Sequence, residues 1–220
     1  MMNAVQAPIA LSSRSLRSWL LAFAVCAITV LLCIAWLDRP LAGYFESHVR
    51  HSGLWLWLVR ALTATAVVVL LGQLFLLGCG LWRASGHRLA PWTGRMLMCS
   101  LALMCGLAAE VIFKTIFGRS SPDPAFVQGR IYEFLLLHGG PHHWSFPSGT
   151  AIGATAVLAV LWPSLRRGRA FAILALIVLL AAVVVTNYHW LSDVIAGVFL
   201  GSLIGHVTVL LFSPASLNTH

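Results

Sequence analysis

Long apolar runs separated by short polar gaps dominate the chain, and the alternation has a period of tens of residues rather than two or four. One run extends from about Trp19 to Trp36 and is followed by a mixed stretch from Asp38 to Gly53. Further runs cover about Leu54 to Trp82, Trp92 to Phe117, Ser148 to Pro163, Ala170 to Tyr188 and Leu191 to Phe212. About 20 apolar residues, rising 1.5 Å each, cross a hydrocarbon core of about 30 Å. The pattern therefore predicts an all-α protein: a polytopic bundle of six transmembrane helices forming one domain over residues 1–220, with the mixed stretch at the interface. Pro163 ends the fourth helix. The first run lacks an A-x-A cleavage pattern and reads as a signal anchor rather than a removed peptide.

Composition agrees with a lipid solvent. Of 220 residues, 60% are hydrophobic and 9% charged, against about 25% charged in soluble domains. The net charge of +8 would point to nucleic acid in a soluble protein. Here the arginines fall mostly in gaps between apolar runs, so the excess sets membrane orientation and no nucleic-acid partner is expected. With the N-terminus in the cytoplasm, Arg14, Arg17, Arg83, Arg88, Arg95, Arg166, Arg167 and Arg169 lie inside. Arg39, Arg50, Arg60, Lys114, Arg119 and Arg130 then lie toward the other face. This places both termini in the cytoplasm of a bacterial-type inner membrane. The five cysteines all lie in apolar runs without zinc-ligand spacing and read as packing residues. Several of the nine tryptophans flank the runs, as interfacial anchors do.

The polar residues that remain are not scattered. The third run ends in Lys114-Thr-Ile-Phe-Gly-Arg119-Ser-Ser-Pro122, the fourth opens with Ser145-Phe-Pro-Ser148-Gly149-Thr150, and the last junction reads Asn187-Tyr-His189-Trp-Leu-Ser-Asp193. Counting runs, all three segments fall on the same, non-cytoplasmic, face. Two helix starts there offer unpaired N–H donors and a partial positive charge to an anion. Lys114 and Arg119 add formal charge, Ser148 a hydroxyl, and Gly149 close access to the backbone. His189 and Asp193 are four residues apart and share a helical face, so the carboxylate can hold the imidazole while its other nitrogen attacks phosphorus. Glu110, four residues before Lys114, reads as an ion pair that holds the lysine. His206, in the last run, reads as a packing residue.

These segments resemble the signature of the type 2 phosphatidic acid phosphatase (PAP2) superfamily of membrane phosphoesterases: K-x6-R-P, then P-S-G-H, then S-R-x5-H-x3-D. The likeness covers about Glu110 to Gly201 and is strongest in SFPSG, Ser145 to Gly149, and in HWLSDVIAG, His189 to Gly197. The resemblance implies a phosphatase acting on lipid phosphates or pyrophosphates. His189 would be the nucleophile that forms a phosphohistidine and Asp193 its orienting partner, with Lys114, Ser148 and Gly149 cradling the phosphate. It calls for no metal and no cofactor, and its partners are the lipid substrate and membrane lipids. Four positions depart from the signature: Ser121 and Val183 replace arginines, Ala182 replaces a serine, and Thr150 replaces a histidine. Arg119 and Thr150 are the local candidates for phosphate binding, and His142 and His143, with His138 nearby, for leaving-group acid. The departures leave two alternatives open, a lipid-phosphate-binding protein with impaired turnover and a lipid phosphotransferase.

Overall fold

The computed structural model describes residues 13–86, 93–122, 134–137 and 143–212. Within them the chain is helical, with an isolated antiparallel bridge between Arg119 and Phe134. The helices are α1 (Ser13–Leu32), α2 (Asp38–His48), α3 (Gly53–Ala84), α4 (Thr93–Phe117), α5 (Gly149–Leu161), α6 (Arg169–Val185) and α7 (Leu191–Phe212). A π-helical turn, Cys33–Leu37, joins α1 to α2, so the two form one rod rather than a span followed by an interfacial stretch. The apolar pattern breaks at Asp38, but the helix runs on because that carboxylate is buried against partners from elsewhere in the chain. π-turns of this kind are frequent at functional sites, where they redirect side chains.

The expected six rods are present among the described residues. Four are long and apolar enough to cross a membrane: 15–48, Gly53–Ala84, Thr93–Phe117 and Leu191–Phe212. The other two, α5 with 13 residues and α6 with 17, are apolar but shorter. At 1.5 Å per residue α5 spans about 20 Å. It is bounded by its own signals: Ser148 is the N-cap, its hydroxyl accepting from the Ala151 N–H, and Pro163 follows the last turn.

The short helix is also the innermost. Ala151, Ile152, Ala156 and Val160 of α5 are all buried, and α7 lies against them through Gly197, Gly201 and Gly205, spaced by four. A Cβ on Gly201 would stand 2.1 Å from Thr155 Oγ1 and 2.2 Å from the Ile152 carbonyl oxygen. Small residues at this spacing let two membrane helices meet backbone to backbone. α4 closes on α5 from the other side, where a Cβ on Gly106 would stand 2.9 Å from Ile152 Cγ2. α1 covers α7 with Trp19, whose ring lies 6.0 Å from Phe199 and 5.3 Å from His206. His206 is thus a ring-packing residue. α3 stands at the periphery with no buried residue, tied to α4 by Gln73 Nε2 donating to Ser100 Oγ at 2.7 Å.

Candidate active site

α2, the end of α4 and the starts of α5 and α7 come together at one end of the bundle, as the counting of runs required. The turn Thr186–Trp190 presents His189. Asn187 adopts φ +58°, a left-handed conformation that asparagine tolerates better than most residues. Its Nδ2 donates to the Ala42 carbonyl and to Glu46 Oε2, both at 3.1 Å, which anchors the turn to α2. His189 therefore sits just ahead of α7 rather than on it, and Asp193 occupies the first turn.

Asp193 is wholly buried. Its Oδ2 accepts from Ser145 Oγ at 2.5 Å and from the Trp190 N–H at 3.0 Å, and lies 3.7 Å from His189 Nδ1. Its Oδ1 accepts from Arg119 Nη1. His189 Nδ1 is buried and forms no hydrogen bond in this arrangement. Closing the His189–Asp193 pair to hydrogen-bond length takes a shortening of about 0.5 Å or more, and catalytic hydrogen bonds often tighten in this way only in the substrate complex.

Arg119 is also wholly buried, and its guanidinium turns toward carboxylates. Nη1 donates to Asp193 and, at 2.6 Å, to Ser192 Oγ, while Nη2 donates to Asp38 Oδ2 at 2.6 Å. The rings of Trp190 and Phe134 lie 5.3 and 4.9 Å from its Cζ. Asp38 in turn accepts from the Ser192 N–H at 3.1 Å and from Ser192 Oγ at 2.5 Å. The result is a chain of alternating charge, Asp38–Arg119–Asp193, running toward His189. Buried ions are stable only when paired and hydrogen-bonded in this way.

In the last turns of α4, Lys114 Nζ pairs with Glu110 Oε1 at 2.5 Å, the ion pair expected from their spacing. Ser148 is buried; its N–H donates to the Asp193 carbonyl at 3.0 Å and its hydroxyl caps α5. Gly149 opens α5, directly against Glu110. Thr150 is exposed in the same first turn. His143 is half-buried, two residues before the Ser145 that bonds Asp193. His138 and His142 lie outside the described residues. Val183, where the signature has an arginine, is core: it packs with Ala151, Val184 and Val194. Among the described residues no three His, Cys, Asp or Glu side chains come together as metal ligands.

Asp38, Ser192, Ser145 and Asn187 had no assigned role in the sequence-based expectation. For Asp38 a signal existed. The chain has six acidic residues, and one placed directly after an apolar run needs a partner if the helix continues. For Ser145 and Ser192 the signal was their position inside the two strongest motif segments.

Comparison with known proteins gives this arrangement a family. The chain is 33% identical over 130 residues, 57% of its length, to the lipid A 1-phosphatase of Rhizobium johnstonii, and that match covers 50% of the relative. The chain thus aligns with half the length of this curated relative. No solved structure matches. The PAP2 superfamily model matches residues 95–216, which include Lys114, Ser148, His189 and Asp193 but not Asp38. With more than half of the chain inside that match, the protein belongs to the PAP2 superfamily.

Proposed function

We propose that this protein is an integral membrane phosphatase that hydrolyses lipid phosphates or pyrophosphates through a phosphohistidine on His189. The observation that carries the reading is the His189–Asp193 pair. Its carboxylate is immobilised by Ser145, Trp190 and Arg119 and its imidazole Nδ1 faces that carboxylate. An imidazole held from one side attacks with the other nitrogen. Nε2 of His189 forms the N–P bond as the P–O bond to the lipid breaks. The departing oxygen takes a proton from His143 or His142. Water then cleaves the N–P bond, returns a proton to the same loop histidine, and releases phosphate. Lys114 and the α5 start, with Ser148, Gly149 and Thr150, hold the phosphoryl oxygens. Arg119 acts from behind, holding Asp193 in place.

The lipid A 1-phosphatase relative makes a phosphorylated lipid the reasonable first substrate. The six helices are taken to cross an inner membrane with both termini in the cytoplasm and the site opening outward. This follows from the arginine distribution between runs. Replacing His189 by alanine in the purified protein is expected to lower turnover of lipid phosphates by about 10³-fold or more while leaving the helical melt in place. Undiminished turnover in that variant rejects the mechanism.

One observation favours a second reading, a lipid-phosphate-binding protein with impaired turnover. Arg119, the local candidate in place of the arginine replaced by Ser121, faces carboxylates, and Val183, in place of the other signature arginine, is core, so neither offers a cation to a phosphate. Saturable binding of lipid phosphates with no hydrolysis across a broad panel would select it. Transfer to an added lipid acceptor would instead select a phosphotransferase.

A further inference from the structure

Glu110 has so far served to pair Lys114, yet its carboxylate lies where the proposed phosphate belongs. Oε1 is 2.5 Å from Lys114 Nζ. Its Cδ and both carboxylate oxygens would each stand 2.1 Å from a Cβ on Gly149, so the group rests on the bare backbone of the first residue of α5. There it meets the positive end of the helix as well as the ammonium. The side chains of Lys114 and Glu110 are 10% and 21% exposed, which withdraws the pair from most of the solvent. A carboxylate and a phosphate have the same sign and take the same partners, a cation and a helix start. Both cannot lie on Gly149 at once.

We infer that Glu110 is an internal anion that fills the phosphate cradle between turnovers and is displaced when a phosphorylated lipid enters. The inference rests on the phosphate reading of the site. Expelling the carboxylate lowers the affinity for any phosphate. A lipid phosphate is held by its hydrocarbon chains as well and retains its place. Inorganic phosphate has no second anchor and is returned to solvent. Glu110 thereby discriminates against soluble phosphate esters and against the product of the reaction, and keeps Lys114 extended between turnovers.

The test is calorimetric titration of the full chain in lipid nanodiscs with inorganic phosphate, comparing the wild type with Glu110→Gln and, as a second variant, Glu110→Ala. Removing a like charge from the cradle is expected to tighten phosphate binding by about tenfold or more, and to strengthen product inhibition of lipid-phosphate turnover by a similar factor. If Glu110 were a clamp for Lys114 and nothing else, both variants would bind phosphate more weakly than the wild type, and that result overturns the inference. So does equal binding. His189→Ala decides the underlying reading separately. Retained turnover there removes the phosphate site itself, whereas lost turnover there, with no tightening in the Glu110 variants, removes the competing-anion role alone.

Discussion

The two ends of this molecule's design are α3 and the start of α7. α3 has 32 residues and buries none of them, with one polar link to a neighbouring helix described above. The first turn of α7 buries Ser192 and Asp193 completely and engages α2, the segment after α4 and the segment before α5 through them. In lipid an apolar helix gains little from touching another helix, because hydrocarbon is as good a neighbour as leucine. α3 therefore needs only length and hydrophobicity. The α7 start needs particular partners at particular distances, because each buried charge left without one is costly.

The sharpest way to break this contrast is Asp38→Asn. The substitution keeps the shape but removes one of two carboxylates that hold the buried Arg119. Breaking a buried ion pair from one side typically costs about 3–5 kcal/mol. The expected outcome is a loss at the lower end of that range in unfolding of the nanodisc-embedded protein, accompanied by reduced lipid-phosphate turnover. Unchanged stability and turnover would mean that the charge chain behind His189 is idle.

A smaller effect is expected from Gly201→Ala, which tests packing without touching charge. The new methyl meets the Ile152 carbonyl and Thr155 Oγ1, and a backbone atom cannot swing aside as a side-chain tip can. Overpacking of this type costs about 1–3 kcal/mol. The α5 start shifts with it, so KM for the lipid is expected to rise. A melt identical to wild type would show that α5 and α7 have slack where the structure has them in contact.

The smallest effect belongs to α3. Val68 is 68% exposed, and Val68→Leu leaves the helix apolar at a site with no partner to lose. The expected change is within about 0.5 kcal/mol, with turnover unaltered. A larger loss would sharpen the comparison differently, by revealing that a second chain or an ordered lipid covers that face.

Much of the architecture was legible in the chain. Helix positions followed the apolar runs, with ends near Ser148, Pro163, Leu191 and Phe212 as expected. The Glu110–Lys114 pair followed from a spacing of four on one helix. What misled was continuity: the charge at Asp38 looked like the end of a span, because a window of local hydrophobicity cannot see that Arg119 waits 81 residues away. Arg119 itself looked like a loop cation near a phosphate, since its neighbours in sequence give no clue that both Asp38 and Asp193 point at it.

The sequence by itself determined which stretches are helical, which end of the bundle collects the polar groups, and that the stretch holding Lys114, Ser148-Gly149, His189 and Asp193 lies within one family's match. These are local properties, set by composition over tens of residues and by spacing within a turn. Only the tertiary structure decided who pairs with whom: Arg119 with two carboxylates, Asp193 with Ser145, and Glu110 laid across Gly149. Those choices depend on how each helix is rotated about its axis and how closely the glycines of α7 let α5 approach. Rotation and approach are fixed by the whole bundle at once, since hydrogen bonds and ion pairs act over about 3 Å while residues they join, such as Asp38 and Ser192, lie 154 positions apart.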